Sequence, residues 1–325
     1  MSRKNVKILG TGCYLPKKQI TAEDLEKKLG LKPGTIMDGC GVRMRYYIED
    51  ETVSEMGVHA AKEAIKNAGI EPSEINGVIG ASSAPEQAIP STAALIHKKL
   101  GLSQATTFDV NSTCLSFLTA LDFASFLLEE GRHKYLLIVS SEIASKGLNA
   151  QDLKTAALFG DGAGAAVIGR DEKGKSRILS SKFETWSENQ EACLLEGGGS
   201  KFYNGLDSEK KYFQMNGPKL YRSIAPRIEA FFEEVLSQGG INREQLDLMI
   251  PHQASPFGLR LMAKRIGISA ELLVDIVEDY GNMIAASIPL ALHLSVMQGR
   301  LKRGDRALMI GTSAGLSIGG MLIEY

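Results

Sequence analysis

Two long segments of the chain are apolar on every side of the helix that they predict. One runs from Cys114 to Glu130 and the other from Asn282 to Gln298, and each ends in a Gly-Arg pair. Each leads into a short apolar run typical of a buried strand, Tyr135–Val139 or Ala307–Ile310. A helix without a polar face belongs in a protein interior, and both segments are shorter than the ~20 residues that cross a bilayer. The pattern therefore predicts two buried helices.

The likeness between the two regions continues upstream. A predicted helix over Thr52–Gly69 precedes the strand-like Asn76–Ala81, and a second over Lys219–Gly239 precedes Asp247–His252. Strands that alternate with helices of this length are typical of α/β units. We therefore expect two α/β halves of the same topology, packed so that both apolar helices are covered.

The Gly-Arg pairs give an offset between the halves. Gly131 and Gly299 are 168 residues apart, the difference between their numbers. Applied to Cys114, this offset gives Asn282, the first residue of the equivalent helix. Both halves thus place a polar, chemically capable residue at the N-terminus of a buried helix. We expect a site between the halves that contains both residues.

Composition and charge exclude several classes of function. Hydrophobic residues make up 44% and charged residues 23%, which is ordinary for a globular enzyme. With 37 Lys and Arg against 38 Asp and Glu, the chain has no overall field that attracts nucleic acid or an anionic membrane. The apolar run near its start, Val6–Leu9, predicts a strand rather than a signal peptide. The four cysteines form no CxxC pair and no metal-ligand spacing occurs, so we expect free thiols and a cytoplasmic location.

Cys114 is the candidate nucleophile. It follows a predicted strand, Thr106–Val110, and opens the first apolar helix. The positive end of the helix dipole favours thiolate over thiol, and thiolate is the nucleophile. The free N–H groups at the same helix end can stabilise an oxyanion on a thioester carbonyl. A lone buried cysteine is more often inert, and position alone does not decide between the two interpretations.

Two further residues support a catalytic site. His252 follows the predicted buried strand at Leu248–Ile250, and the C-terminal ends of strands are where α/β units bind ligands. Asn282 suits a helix N-cap, a role compatible with catalysis. The remaining histidines lie in helical patterns or in a polar turn, and we interpret them as packed or solvated: His59, His97, His133 and His293.

Two glycine-rich segments resemble nucleotide-binding loops only in part. In Phe159–Ile168 the glycines lead into a β-like run instead of a helix, so a dinucleotide-binding interpretation is weak. Gly311–Gly320 is a predicted turn between strands and lacks the lysine of a phosphate loop. We interpret its glycines as allowing close approach of the backbone to a ligand.

Four sequence blocks together resemble β-ketoacyl-acyl-carrier-protein synthase III of the thiolase superfamily. They are Ser-Thr-Cys114, Pro-His252-Gln-Ala, Gly-Asn282 with the later Ala-Ala-Ser-Ile-Pro-Leu-Ala-Leu, and Phe159-Gly-Asp-Gly-Ala-Gly-Ala-Ala. The resemblance covers essentially the whole chain. It implies an α/β thiolase-like fold, in which two similar βαβαβαββ halves, residues 1–170 and 171–325, pack as αβαβα layers around two buried helices.

The resemblance also implies a reaction. Cys114 takes an acyl group from acyl-CoA or an acyl carrier protein, and His252 and Asn282 hold a malonyl thioester while it loses carbon dioxide. The resulting carbanion equivalent attacks the acyl-enzyme and gives a β-ketoacyl thioester, as in fatty-acid or polyketide biosynthesis. The backbone N–H groups of Cys114 and Ala314 form the oxyanion hole. We expect a homodimer that needs no cofactor or metal ion and has no nucleic-acid or membrane partner.

The chain departs from the family where the acyl donor and the acyl chain bind. Thr35 and Gly39 stand where the family usually has a Trp and an Arg, and Ser255 and Phe257 stand where it continues toward a carrier-binding Arg. Ile89 replaces a frequent Phe at the far end of the acyl tunnel, beside the partner subunit. We count Ser255, Phe257, Ile89 and Arg43 as candidate substrate-binding residues, and we expect a primer longer than acetyl. Replacement positive charge is expected from Arg43, Arg45, Arg260 and Lys264.

Two other functions stay open at this point. The same fold and cysteine could transfer an acyl group to an oxygen or nitrogen nucleophile without decarboxylation, although such an enzyme has no need of Asn282. A non-catalytic scaffold is opposed by the complete set of Cys114, His252 and Asn282. Ile89 in place of a catalytic Glu argues against head-to-head condensation of two acyl chains, though Glu86 lies near it. The acyl chain, the donor's carrier and the pathway stay undetermined.

Overall fold

Strands and helices alternate along the computed structural model, which describes residues 4–202 and 210–325. The strands are β1 Val6–Tyr14, β2 Lys18–Thr21, β3 Met44–Tyr47, β4 Ile75–Gly80, β5 Thr106–Asp109, β6 Tyr135–Glu142, β7 Gly162–Arg170, β8 Arg177–Thr185, β9 Cys193–Leu194, β10 Gln214–Met215, β11 Leu248–Pro251, β12 Arg306–Ser313 and β13 Ser317–Glu324. The helices are α1 Ala22–Leu29, α2 Thr35–Cys40, α3 Val53–Ala68, α4 Thr92–Leu100, α5 Ser116–Glu129, α6 Leu153–Ala156, α7 Gly217–Gly239, α8 Pro256–Arg265, α9 Val277–Tyr280 and α10 Ser287–Met297.

Two larger sheets divide the strands by their position in the chain. The first has the order β1-β7-β6-β4-β5 and the second the order β11-β12-β13-β8. Parallel pairing of β4 with β6 matches that of β11 with β12, as expected for repeated α/β units. The counterpart of β5 is reduced to a single bridge between Met249 and Leu273. The halves therefore share one topology, and the predicted division after residue 170 falls between β7 and β8.

The predicted apolar helices, α5 and α10, lie between the two sheets. Their buried side chains belong to one hydrophobic cluster that also contains residues of both sheets, such as Ile138 and Met309. The outer face of the first sheet is covered by α3 and α4, and that of the second by α7 and α8. These are the αβαβα layers of the thiolase fold, and the fold prediction is confirmed. Within the described residues, no helix combines the length and the apolar character that a membrane span requires.

Local signals in the sequence explain where the outer helix α3 begins and ends. Thr52 and Glu55 form a reciprocal capping box at its start, since each side chain accepts a hydrogen bond from the other's backbone N–H. Gly69 ends it in the left-handed conformation, at a φ of 68°. The same glycine termination recurs after α7, at Gly240.

Candidate active site

Cys114 lies at the junction between the first sheet and the central helix α5. A 3-10 turn over Thr113–Leu115 separates β5 from α5, and Cys114 is its middle residue. The predicted helix start at Cys114 is thus two residues early, because the regular α-helix begins only at Ser116. Cys193 and Glu142 lie near it in space. The two thiols and the carboxyl group are all shielded from bulk water.

The surroundings of Cys114 disfavour its thiolate form. Burial raises its pKa well above the usual range, and the nearby Cys193 and Glu142 add to the rise. The backbone N–H groups of Cys114 and Ala314 act in the opposite direction, but less strongly. Burial and the helix end therefore act in opposite directions on the thiolate form of Cys114.

The same two N–H groups show where an oxyanion can sit. Both lie within hydrogen-bonding reach of the sulfur of Cys114, and for this reason they lower its pKa. Ala314 stands in the turn between β12 and β13 and lines the same cavity as Cys114. An acyl carbonyl on Cys114 would have two backbone donors within reach, which is the arrangement of an oxyanion hole.

His252 directly follows β11 and is 6% exposed. Its backbone N–H donates to the carbonyl of Ile310 at 2.8 Å, which ties it to β12. Gly311 allows this approach, since a Cβ there would meet the Cβ of His252 at 2.7 Å. Burial lowers the pKa of His252 to about 4, so the ring is neutral at pH 7. Its Nδ1 is buried without a hydrogen-bond partner, and the side chain lines the cavity described below.

Asn282 is held by both its backbone and its side chain. Its backbone pairs with the Phe159 segment, donating to Leu158 O at 2.9 Å and accepting from Gly160 N at 3.1 Å. Gly160 permits the close approach, because a Cβ there would meet Tyr280 O at 2.5 Å. The side-chain amide donates once, to Ala254 O at 3.1 Å. An amide nitrogen has two N–H groups, so one stays available for a ligand.

Asn111 and Asn282 occupy equivalent positions in the two halves. Cys114 and Asn282 do not. Asn111 Oδ1 accepts from Thr113 N at 2.9 Å, and Asn282 Oδ1 accepts from Ile284 N at 2.8 Å. Thr113 and Ile284 have φ angles of 49° and 48°, although both are β-branched. The offset is thus 171 residues, the difference between 282 and 111. Identical strained turns in both halves fix this register.

The counterpart of Cys114 in this register is Ala285. The predicted offset of 168 is wrong by one helical turn because α5 has 14 residues and α10 has 11. Counting the same number of residues back from each Gly-Arg pair therefore gives a position in the second half that is three residues before the true counterpart of Cys114. The expectation of one site served by both halves does not depend on this offset, since Cys114 and Asn282 line the same cavity.

Glu142 is a buried carboxyl group that the sequence analysis missed. It ends β6, and Ser83 donates to it from N–H at 2.6 Å and from the hydroxyl at 2.7 Å. Burial raises the pKa of Glu142 to about 7, while these bonds and the N–H of Ala285 hold it lower than burial alone would. Glu142 thus connects the loop at Ser83 with the turn that follows Asn282. A Glu that follows the apolar run Tyr135–Val139 and two serines was the available signal.

The Glu142→Gln variant is expected to change the pH dependence of stability. The folded protein keeps a proton that the unfolded chain loses above pH 4.5, so Glu142 lowers stability as the pH rises from about 4.5 to 7. The shift corresponds to about 3 kcal/mol at pH 8. Urea unfolding at pH 5 and pH 8 measures the free energy of unfolding of both proteins. Relative to the wild type, the variant should be more stable at pH 8 than at pH 5. Equal differences at both pH values would contradict this, and the exposed Glu244→Gln serves as control.

One cavity of about 860 Å³ joins the predicted catalytic residues. Cys114, His252, Asn282 and Ala314 all line it. Among the described residues of its wall, Glu86 is the only one with an acidic, lysine or arginine side chain. The volume is near the upper end of ordinary ligand sites, roughly 300–1,000 Å³. The site is suited to a large and mainly apolar substrate.

The predicted substrate-binding residues occupy different places. Ser255 lines the cavity and caps α8 through a hydrogen bond from Gly258 N. Phe257 is 53% exposed and lies against Gly41, outside the cavity wall. Ile89 is 86% exposed and also lies outside the wall of this single chain. Their roles stay predictions.

The arginines expected to receive the donor are already paired. Arg43 forms an ion pair with Asp279, and Arg260 pairs with Asp275 at 2.7 Å and with Glu278 at 3.1 Å. Arg45 is fully buried, and its guanidinium donates to backbone carbonyls. Arg45 is therefore not a docking residue, which corrects the sequence analysis. Lys264 is exposed on α8.

A second polar cluster involves a histidine that we interpreted as packed. Ligand-capable atoms of Cys13, Glu63 and His293 lie within 4.8 Å of one another. Glu63 accepts from the backbone N–H of Cys13 at 2.7 Å, and Thr11 is hydrogen-bonded to His293 Nδ1 at 3.1 Å. Burial lowers the pKa of His293. His293, the buried member of the cluster, is hydrogen-bonded to Thr11, which agrees with its interpretation as a packed histidine.

The fold and this cavity together define a thiolase-fold acyltransferase. A family model described as 3-oxoacyl-(acyl-carrier-protein) synthase III matches residues 108–187, and a model of its C-terminal part matches residues 236–325. The β-ketoacyl-acyl-carrier-protein synthase III of Aquifex aeolicus is 35% identical over 319 residues, which are 98% of this chain and 99% of that protein. The chain belongs to the 3-oxoacyl-acyl-carrier-protein synthase III family.

Solved structures agree with this assignment. The crystal structure of the Aquifex aeolicus synthase III superimposes with a TM-score of 0.90 at 34% identity, over 100% of both chains. The priming β-ketosynthase of a polyketide pathway gives a TM-score of 0.91 at 28% identity, over 99% of this chain and 97% of that one. The resemblance found in the sequence is confirmed.

Proposed function

We propose that this enzyme forms a β-ketoacyl thioester by decarboxylative Claisen condensation of an acyl group on Cys114 with a malonyl thioester. The observation that carries the proposal is the shared cavity, in which Cys114 faces two backbone donors while His252 and Asn282 each keep an unused polar group. The synthase III relatives support fatty-acid or polyketide initiation as the setting.

In the first half-reaction, the sulfur of Cys114 attacks the carbonyl carbon of an acyl thioester. The N–H groups of Cys114 and Ala314 stabilise the tetrahedral oxyanion. The donor's thiolate then leaves and takes up the proton that Cys114 lost. The acyl group stays bound to the enzyme, which separates its activation from carbon–carbon bond formation.

In the second half-reaction, the malonyl thioester carbonyl accepts hydrogen bonds from Asn282 Nδ2 and the ring of His252. A neutral His252 suits this role, because it can donate without attracting the malonyl carboxylate. The carboxylate leaves as carbon dioxide, and its bonding electron pair forms an enolate on the held thioester. The enolate carbon attacks the acyl carbonyl and the bond to the sulfur of Cys114 breaks. The sulfur leaves as a thiolate and takes up a proton from water, which restores the thiol.

The donor and the partners follow from the surroundings of the cavity. We propose acyl-CoA or acyl carrier protein as donor, without a cofactor. Because Arg43 and Arg260 are paired with carboxylates, the phosphate of the donor would have to compete with them or use Lys264. Ser255 lines the cavity and Phe257 is exposed against Gly41, and in this proposal both contact the carrier arm.

We also propose a homodimer. Strand β5 is at the edge of its sheet, so that two copies can pair along it, and Ile89 follows a loop that lines the cavity and is itself exposed. In a dimer that pairs β5 across a twofold axis, this residue would be covered by the partner. Sedimentation at micromolar concentration should give a dimer, and a monomer would contradict the proposal.

The reaction is tested by supplying both substrates. The protein is incubated with acyl-CoA and with malonyl-CoA or malonyl carrier protein, and carbon dioxide and product are measured together. One carbon dioxide per β-ketoacyl thioester is expected. Acylation of Cys114 followed by acyl transfer to an oxygen or nitrogen nucleophile, with no carbon dioxide, would refute condensation.

A further inference from the structure

The catalytic cavity extends past His252 into the core of the C-terminal half. Six apolar side chains wall this extension, which we call the inner arm: Ile224, Ile228, Met249, Leu259, Met262 and Ile266. All but Met262 are buried, with exposures of 1–6%. The inner arm is thus an interior space of the subunit and not a groove on its surface.

The sequence builds the inner arm from regular elements. Ile224 and Ile228 are one turn apart on α7. Leu259 and Met262 lie three positions apart on α8, and Ile266 directly follows its last residue. Facing helices and a sheet normally close on each other at the density of a crystal, without space for a ligand. Here the cavity persists between them.

The inner arm starts at the catalytic residues. His252 directly follows β11, whose Met249 forms part of the wall. Ser255, the first wall residue at the start of α8, is eleven positions before Ile266, a distance of about 16 Å along the helix. An extended acyl chain of about a dozen carbons covers a comparable length.

The chemistry of the inner arm selects an apolar occupant. Its six side chains carry no polar hydrogen-bonding group, so phosphate, pantetheine amides and a carboxylate would be desolvated there without a partner. An apolar cavity stays dry and binds hydrocarbon. Met249 and Met262 are unbranched and flexible, which suits them to chains of varying shape.

The route toward Ile89 is built differently. Its wall consists of the loop Ser83–Ala88, and Ile89 lies beyond it, 86% exposed. In this chain Ile89 is at the surface, whereas five of the six side chains of the inner arm, Ile266 among them, are buried in the subunit. The length of the acyl chain can therefore be limited by side chains in the core of the same subunit.

We propose that the inner arm binds the alkyl chain of a medium- to long-chain acyl group carried on Cys114. This inference rests on the proposed function and names the substrate class of that same site: acyl thioesters with a linear apolar tail of about ten to fourteen carbons. Met262, half-buried at the middle of the wall, is the residue that limits the chain.

The test compares acylation of Cys114 by acetyl-CoA and dodecanoyl-CoA, followed by intact-protein mass. Met262→Trp fills the inner arm and should slow acylation by dodecanoyl-CoA at least about tenfold while acetyl-CoA keeps its rate. Met297→Trp, the same change at a position that is 60% exposed and outside the cavity, should match wild type. Met262→Ala should instead favour tetradecanoyl-CoA over dodecanoyl-CoA relative to wild type, which tests the arm even if the Trp variant does not fold.

Two results would overturn the inner arm, and they are distinguishable. If Ile89→Phe slows acylation by dodecanoyl-CoA while Met262→Trp and Met262→Ala leave it unchanged, the chain runs toward the partner subunit and the proposed condensation stands. If the wild type is acylated by none of the thioesters, the inner arm fails together with the proposed function.

Discussion

The Cys114→Ala variant is expected to gain no acyl mass from any acyl thioester. Cys114 is the cysteine that faces the two backbone donors and lines the cavity with His252 and Asn282, and covalent catalysis requires its sulfur. Intact-protein mass spectrometry after incubation with acetyl-CoA and dodecanoyl-CoA measures the result. The wild type should gain one acyl group per chain, and the variant none.

A matched control uses another partly buried thiol. Cys13 lies on β1, outside the cavity wall, and burial raises its pKa to about 12. Cys13→Ala should be acylated like the wild type. An acyl group found on the Cys114→Ala variant would show that the nucleophile is another residue, with Cys193, the second cysteine of the cavity wall, the first to be tested.

The protonated thiol gives this reaction a pH dependence. Because the pKa of Cys114 is raised well above neutral pH, the thiolate fraction grows about tenfold per pH unit across the neutral range. Single-turnover acylation should rise correspondingly with pH until donor release becomes limiting. A plateau already at pH 6 would mean that the helix end prevails over burial after all.

The residues of the site could be predicted because their chemistry is tied to short sequence patterns. Cys114, His252 and Asn282 each stand at the end of a strand or the start of a helical turn, and such ends are visible in the alternation of apolar runs. The burial of the two central helices was predictable for a related reason. A helix that is apolar all round, like α10, belongs in the interior, whereas the αβαβα layers followed from the family resemblance.

The register of the repeat was not predictable from the same patterns. Apolar periodicity locates a helix but not its first residue, and α5 exceeds α10 by one turn. The signals that fix the register are the side-chain bonds of Asn111 and Asn282 to the turns after them. Such bonds depend on positive φ angles at Thr113 and Ile284, which β-branched residues rarely adopt.

Interactions between distant segments also escaped the sequence analysis. Glu142 meets Ser83 across 59 positions, and its burial follows from the packing of both halves. The pairing of Arg43 with Asp279 joins residues 236 positions apart. The sequence analysis assigned such arginines to the acyl donor because a sequence shows each charge but not the opposite charges near it in space. The fold brings carboxylates beside them, and these carboxylates neutralise the positive charge.

The His252→Ala and Asn282→Ala variants should each lose malonyl decarboxylation while Cys114 is still acylated. In the proposed reaction the two side chains stabilise charge that develops on the malonyl carbonyl, and removing one such donor costs about 10²–10³ in rate. Acylation relies instead on the backbone N–H groups of Cys114 and Ala314. Carbon dioxide release and acyl mass are measured on the same sample, so that the two half-reactions are separated.

The separation of the two half-reactions is what makes this prediction specific to condensation. A merely misfolded variant would lose both half-reactions, so retained acylation is an internal control for folding. His59→Ala removes an exposed imidazole outside the cavity wall and should behave as wild type in both assays. In the double variant the loss should be smaller than the product of the single losses, because His252 and Asn282 serve one oxyanion. If both single variants release carbon dioxide at the wild-type rate, the imidazole and the amide do not hold the malonyl group, and the cavity would serve acyl transfer without decarboxylation.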